Sequence, residues 1–141
     1  MELQLFGINH KTTKLSDREL FIINDSNQDD FKRFFQNEFG EFIESFFALS
    51  TCNRTEVYFY GAPTLSLSVA EKTLDYLGCA DSVKQGLYFF GGERAIEHMC
   101  CVACGLDSQV LGEQEVLGQF KKSIKNFTEL GVLNGELQKI S

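Results

Sequence analysis

The sequence contains no tryptophan and only one proline and two histidines among its 141 residues. So little proline, together with 14 phenylalanines and 43% hydrophobic residues, excludes a disordered or low-complexity chain. No apolar run approaches the roughly 20 residues that a membrane-spanning helix requires. The N-terminus lacks the basic start and apolar stretch of a signal peptide, so we expect a folded protein of the cytoplasm with no membrane partner.

Positive charge is also scarce, since 13 lysines and arginines face 20 acidic residues and the net charge is −7. Broad neutralisation of phosphates needs a basic face, so the composition argues against a protein that grips nucleic acid over a large surface. The five cysteines are an odd number, which indicates free thiols rather than a disulfide framework. Cys101 and Cys104 have the spacing of half a zinc site, but no second pair follows, and no metal site is predicted.

Turn residues and hydrophobic periodicity divide the first 90 residues into strands and helices. A short helix opened by a capping box of Ser16 and Glu19 is predicted to follow the first strand. The main predicted elements are a strand over 2–8, a helix with Phe31, Phe34, Phe35 and Phe39 that ends at Gly40, strands over 42–49 and 55–60, a helix that ends at Gly78, and a strand over 87–90. This order predicts an α+β domain, a ferredoxin-like split βαβ sandwich whose four-stranded antiparallel sheet carries helices on one face.

Residues 91–141 are predicted to form a helical extension that follows this core of residues 1–90. Its first helix is predicted to pack through one seam and its second helix through another, the seams being Ile96, Met99, Ala103 and Leu106, and Leu117, Phe120, Ile124 and Phe127. This seam leaves His98 on a flank of the first helix, about 100° from Met99. A histidine there can line a cleft and exchange protons near neutral pH with a cysteine nucleophile, although a partly exposed structural histidine is the alternative.

The segment 49–58 places a lone thiol, Cys52, two residues before Arg54. If the backbone there is extended, the two side chains share a face about 7 Å apart. The cation favours the nucleophilic thiolate, and the guanidinium can hold a carboxylate through two hydrogen bonds. The pair therefore predicts attack on a short acidic acyl substrate, while the alternative is that Cys52 is a small buried apolar filler.

Three motifs, residues 7–12 (Gly-Ile-Asn-His-Lys-Thr), 50–56 (Ser-Thr-Cys-Asn-Arg-Thr-Glu) and 102–119, closely resemble the N-terminal catalytic domain of glutamyl-tRNA reductase. Their order and spacing agree, and the resemblance covers almost the whole of residues 1–141. It implies that an activated glutamate on tRNA is reduced with NADPH to glutamate-1-semialdehyde, the first committed step of the five-carbon route to tetrapyrroles.

The resemblance also implies roles for individual residues. Cys52 would displace the tRNA 3′ hydroxyl and form a glutamyl thioester, and His98 matches the catalytically important histidine of the family. Arg54 would hold the glutamate carboxylate. The other substrate-binding positions that the resemblance implies are Thr51, Asn53, Ser108, Glu113, Gln114, Glu115 and Gln119.

By the same resemblance, the NADPH-binding domain, the spine helix and the dimerisation domain lie beyond Ser141, so we expect the chain to be a fragment that cannot itself make the aldehyde. The implied partners are glutamyl-tRNA, a second copy of the full-length chain, and glutamate-1-semialdehyde aminomutase as the acceptor of the product. Two rival functions stay open. One is a cysteine hydrolase or thioesterase that uses Cys52 and His98, and the other is a non-catalytic redox or regulatory module that uses the cysteines at 100–104.

Overall fold

The computed structural model of the protein describes residues 2–43, 45–103 and 121. The elements are, in chain order, β1 (Glu2–Asn9), α1 (Leu15–Arg18), α2 (Gln28–Phe39), β2 (Phe46–Ser50), β3 (Arg54–Gly61), a 3₁₀ turn (Pro63–Leu65), α3 (Ser66–Leu77), α4 (Asp81–Gln85), β4 (Tyr88–Gly91) and α5 (Glu93–Ala103). The predicted α+β class is confirmed. Within the described residues, no helix has the length and apolar character to cross a membrane.

The four strands form one antiparallel sheet in the order β2-β3-β1-β4. The two eight-residue strands, β1 and β3, lie in the middle, and nearly all of their residues are buried, so both faces of the sheet are covered. Their register places Gly7 opposite Glu56 and Asn9 opposite Arg54. On its other side, β1 pairs Gly7 with Tyr88 of β4. Because paired residues point to the same face, this register decides which side chains can meet.

Helix α2 covers one face of the sheet with the predicted phenylalanine stripe. Phe31 and Phe35 contact Phe46 of β2, with ring centroids 6.0 and 4.1 Å apart. Helix α3 lies beside α2, where Tyr76 stacks on Phe34 at 4.2 Å. These contacts confirm that the stripe is a core seam.

Helix α5 covers the opposite face, which carries Glu56 and Tyr58 of β3 and Tyr88 and Phe90 of β4. His98 of α5 stacks on the Phe90 ring at a centroid distance of 4.8 Å. The first helix of the predicted extension is therefore packed directly on the sheet, and helices contact both of its faces. The second predicted helical seam, 117–127, lies outside the described residues apart from Lys121.

The predicted capping box of Ser16 and Glu19 is wrong. Helix α1 begins at Leu15, and its N-cap residue, Lys14, makes no side-chain capping hydrogen bond. The Lys14 carbonyl accepts the N–H of Asp17 at 3.1 Å, so Ser16 already lies within the first turn.

Strand β2 begins at Phe46, later than the predicted start at residue 42. The chain continues to turn after α2, because the N–H groups of Phe42 and Ile43 donate to the Phe39 carbonyl at 2.9 and 2.8 Å. Those hydrogen bonds replace the strand pairing that the β-branched and aromatic residues of this segment favour. The short helix α4 was not predicted at all.

Candidate active site

Cys52 lies in the turn that joins β2 to β3. The Thr51 N–H donates to the Arg54 carbonyl at 2.8 Å, and the Asn53 N–H donates to the Thr51 hydroxyl at 3.1 Å. These bonds close a tight turn over residues 51–53, and the Cys52 side chain is exposed at its tip. The extended backbone assumed for residues 52–54 is wrong, because β3 begins only at Arg54. The reading of Cys52 as a buried filler is wrong as well.

The end of β1 supports this turn from the neighbouring strand. The His10 N–H donates to the Asn53 carbonyl at 2.8 Å. The Asn9 side-chain oxygen accepts the N–H groups of Lys11 and Thr12 at 2.9 and 3.2 Å, which fixes the loop that follows. The first two sequence motifs therefore meet at one edge of the sheet, beside the thiol.

A buried carboxylate occupies the sheet face next to this edge. Glu56 is fully buried, and its Oε1 accepts the Tyr58 hydroxyl at 2.7 Å. Its Oε2 accepts the Tyr88 hydroxyl at 2.5 Å, hydrogen-bonds His98 Nε2, and lies 3.5 Å from Arg54 Nη1. We call these five side chains the Glu56 cluster. They come from β3, β4 and α5, so the cluster links the sheet to the helix that covers it.

The electrostatics of the cluster keep Glu56 ionised. Burial is the largest single influence and raises the pKa of Glu56, but the hydrogen bonds of His98 and Tyr88 and the charges of His98 and Arg54 together lower it below its usual value. Burial, reinforced by the charge of Glu56, raises the pKa of Tyr58 well above its usual value. Tyr58 therefore remains a neutral hydroxyl that donates to the carboxylate.

A glycine leaves the space in which the cluster assembles. Gly7 lies between Glu56 on one neighbouring strand and Tyr88 on the other, and all three positions share a face. A Cβ at Gly7 would stand 2.7 Å from Glu56 Cγ and 2.5 Å from the Thr55 carbonyl oxygen. Without a side chain at Gly7, the Tyr88 hydroxyl can reach Glu56 across β1.

His98 lies on the buried stripe of α5, not on its flank. The buried residues of the helix are Ala95, Met99 and Val102, and the His98 side chain is only 13% exposed. Ile96, which the predicted seam included, is 39% exposed. The predicted seam is wrong because the sheet face under α5 has a polar centre, Glu56, and the stripe contains a polar residue that hydrophobic periodicity passes over.

The chain matches the family described as "Glutamyl-tRNAGlu reductase, N-terminal domain" over residues 6–141. The chain belongs to this family. The glutamyl-tRNA reductase of Myxococcus xanthus is 37% identical over 142 residues, which cover 99% of this chain and 31% of that protein. The glutamyl-tRNA reductase of Idiomarina loihiensis is 34% identical over 140 residues, covering 99% and 33%.

A solved glutamyl-tRNA reductase from Methanopyrus kandleri has the same fold, with a TM-score of 0.79 and 28% identity over 98% of this chain and 31% of that one. The chain thus spans about a third of the length of the glutamyl-tRNA reductases that it matches. The family predicted from the three motifs is confirmed.

Within this glutamyl-tRNA reductase domain, the structure brings some of the predicted site residues together. Thr51 and Asn53 form the turn around Cys52, and Arg54 opens β3 beside them. The Arg54 side chain is 1% exposed and contacts Glu56. The predicted substrate-binding residues Ser108, Glu113, Gln114, Glu115 and Gln119 lie outside the described residues.

No hydrogen bond joins Cys52 to His98 in the part of the chain that the structure describes. His98 instead binds Glu56, which is four residues, or at most about 13 Å of strand, from Cys52. Among residues 2–43, 45–103 and 121, no three His, Cys, Asp or Glu side chains group as a metal site would require. Cys100 and Cys101 are exposed, and Cys104 lies outside the described residues.

The sequence interpretation missed three members of the cluster, namely Glu56, Tyr58 and Tyr88. A signal for the first was present, since Arg54 and Glu56 alternate with apolar residues in a strand whose two faces are both buried. A charged pair on a buried strand face requires partners. Nothing in the sequence indicated that one of those partners would be His98, 42 residues away.

Proposed function

We propose that this chain carries the acyl-transfer step of a glutamyl-tRNA reductase. The Cys52 sulfur attacks the ester carbonyl of glutamyl-tRNA, a carbon–sulfur bond forms, and the tRNA 3′ oxygen leaves and takes up a proton. A thioester is less stabilised by resonance than an oxygen ester, so this exchange prepares the acyl group for hydride attack. The observation that carries the proposal is the exposed Cys52 thiol at the turn between β2 and β3 of a chain that belongs to this family.

Arg54 would select glutamate by its charge. The guanidinium lies two residues from the nucleophile in a buried setting, where ionic interactions are stronger than in water. A substrate carboxylate would join the existing contact with Glu56 rather than meet a solvated cation. Glutamine in the same position would supply no anion, and rejecting such an analogue is what buried polar groups do well.

His98 would manage the proton. Because Glu56 is ionised and can only accept, the Nε2 atom of His98 is the donor of their hydrogen bond. The Nδ1 atom is then the nitrogen that can take the thiol proton and return it to the departing 3′ oxygen.

The remaining steps would use parts beyond this chain. NADPH would be bound by another domain, and its hydride would release the acyl group from Cys52 as glutamate-1-semialdehyde for tetrapyrrole biosynthesis. A homodimer of the full-length protein and an aminomutase that takes the aldehyde belong to the same proposal. The element order and the strand order support the ferredoxin-like assignment of the sheet and its first helices.

The test is to mix the chain with glutamyl-tRNA, quench in acid and measure the mass of the peptide that carries Cys52. We expect a glutamyl adduct that neutral hydroxylamine removes, as a thioester requires. Cys52→Ser should abolish this adduct, and Cys100→Ser should retain it as the matched control.

Release of free glutamate with no adduct at any quench time would favour the hydrolase alternative. Glutamate-1-semialdehyde made by this chain alone with NADPH would contradict the division of labour between domains.

A further inference from the structure

We propose that Glu56 is a positioning residue that orients both the selecting group Arg54 and the proton-transfer group His98 through one buried carboxylate. This inference rests on the proposed acyl-transfer function. The single oxygen Oε2 meets Nη1 of Arg54 and Nε2 of His98. The two partners come from β3 and α5, so no local backbone geometry would align them without this shared atom.

The carboxylate is itself held at both oxygens. The Tyr58 hydroxyl binds Oε1, and the Tyr88 hydroxyl binds Oε2. Tyr58 is fixed in turn by stacking on Phe47, with ring centroids 4.7 Å apart and an interplanar angle of 4°. Rotation of the carboxylate would break hydrogen bonds at both ends, and with the side chain fully buried no water is available to replace them.

The charges explain why such a fixed anion helps an acidic substrate. An unpaired guanidinium at 1% exposure would carry a large desolvation cost, so Arg54 needs an internal counterion when no substrate is bound. Glu56 supplies that charge from one side only, at 3.5 Å, and fixes the direction in which the remaining donors of the fork can point. Loss of this orientation should weaken discrimination for the acidic side chain more than it weakens folding.

The experiment compares how fast Cys52 is acylated by glutamyl-tRNA and by the same tRNA charged with glutamine. The variants are Glu56→Gln, which removes the charge, and Tyr58→Phe, which frees only Oε1. Val69→Ala is the matched control, because Val69 is a buried core residue of α3 outside the Glu56 cluster.

We expect the glutamate-to-glutamine rate ratio to fall at least about tenfold in Glu56→Gln and by a smaller factor in Tyr58→Phe, as loss of an oriented charged hydrogen bond implies. In Val69→Ala, the ratio should stay within about twofold of the parent value even though unfolding occurs at lower temperature. An unchanged ratio in both cluster variants, or an equal fall in Val69→Ala, would overturn the proposal. If Glu56→Gln does not fold, Tyr58→Phe against Val69→Ala decides alone.

A second measurement does not depend on acylation. Nitrogen-15 NMR reports which ring nitrogen of His98 carries the proton, and His98→Asn assigns the signal against His10. We expect the Nε2–H tautomer in the parent chain and a mixture of tautomers in Glu56→Gln. No acylation of the parent chain with this tautomer change present would refute the proposed function alone, whereas the same tautomer in both chains would refute the positioning role.

Discussion

A methyl group at Gly7 would collide with the two strands that hold the Glu56 cluster. The added Cβ would lie 2.5 Å from the Thr55 carbonyl oxygen, 2.7 Å from Glu56 Cγ and 3.0 Å from Glu56 Cα. Two of these three atoms are backbone, so rotating a side chain cannot relieve the overlap. In Gly7→Ala, either β1 and β3 must separate at this point or Glu56 must leave its place among Arg54, Tyr88 and His98.

Forced overpacking of a close-packed interior costs about 1–3 kcal/mol. For a chain of 141 residues, 1 kcal/mol corresponds to about 3–4 °C in melting temperature, so Gly7→Ala should melt about 3–12 °C below the parent chain. The displaced carboxylate adds a second consequence, since His98 loses the acceptor that fixes its tautomer.

Thermal unfolding followed by circular dichroism measures the first effect, and the nitrogen-15 spectrum of His98 measures the second. Gly61→Ala is the matched control, because Gly61 lies at the other end of β3 and its added Cβ would meet only side chains, at 3.2 Å or more. We expect a smaller loss of melting temperature there and an unchanged His98 spectrum. Gly7→Ala with the melting temperature and His98 tautomer of the parent chain would refute the packing argument.

Two further predictions concern ionisable groups. Because the pKa of Glu56 is lowered in the folded state, its contribution to stability is fully present above the ordinary value of 4.5 and is lost as the pH falls below it, so denaturant titrations from pH 7 to acid should show a loss that Glu56→Gln lacks. Equal slopes for the two chains would contradict this assignment. Burial raises the pKa of Cys79 to about 11, so iodoacetamide at neutral pH should modify exposed Cys52 at least about tenfold faster, as peptide masses over time would report. Equal rates at the two thiols would be inconsistent with the structure.

The elements that the sequence predicted correctly have local signals. The helix that carries the phenylalanine stripe ends at Gly40, and α3 ends at Gly78, which takes the left-handed conformation that a glycine tolerates. The predicted strand over 55–60 lies within β3 (Arg54–Gly61). In each case, periodicity and a terminating residue agree within one short window.

The failures occur where a partner distant in sequence decides the outcome. The segment 42–45 has strand composition, but hydrogen bonds back to Phe39 hold its start in a turn. The buried stripe of α5 was misplaced because His98 faces a carboxylate of β3 that no window around α5 contains. Hydrophobic periodicity treats a polar residue as a marker of the exposed face, and this inference fails where the sheet beneath the helix is itself polar.

The candidate site was predicted in part for the same reason. Cys52 and Arg54 were found from their spacing, which is a local property. Their environments came out opposite, however, with the thiol exposed and the guanidinium buried. That contrast depends on where β3 begins and on what covers the sheet, and neither can be read from residues 49–58 alone.

The contrast between the two residues is itself an argument about function. A buried ion pair contributes little net stability, because the desolvation of both charges offsets their attraction. In this chain Arg54 and Glu56 are nonetheless buried, and three further hydrogen-bond donors are used to satisfy the carboxylate. A hydrophobic core of phenylalanines already covers the other face of the sheet, so folding alone does not call for such a cluster. Fixed charges in a dry site beside an exposed thiol are instead the arrangement that recognition of an anionic acyl group requires, since they need no reorganisation when the substrate arrives.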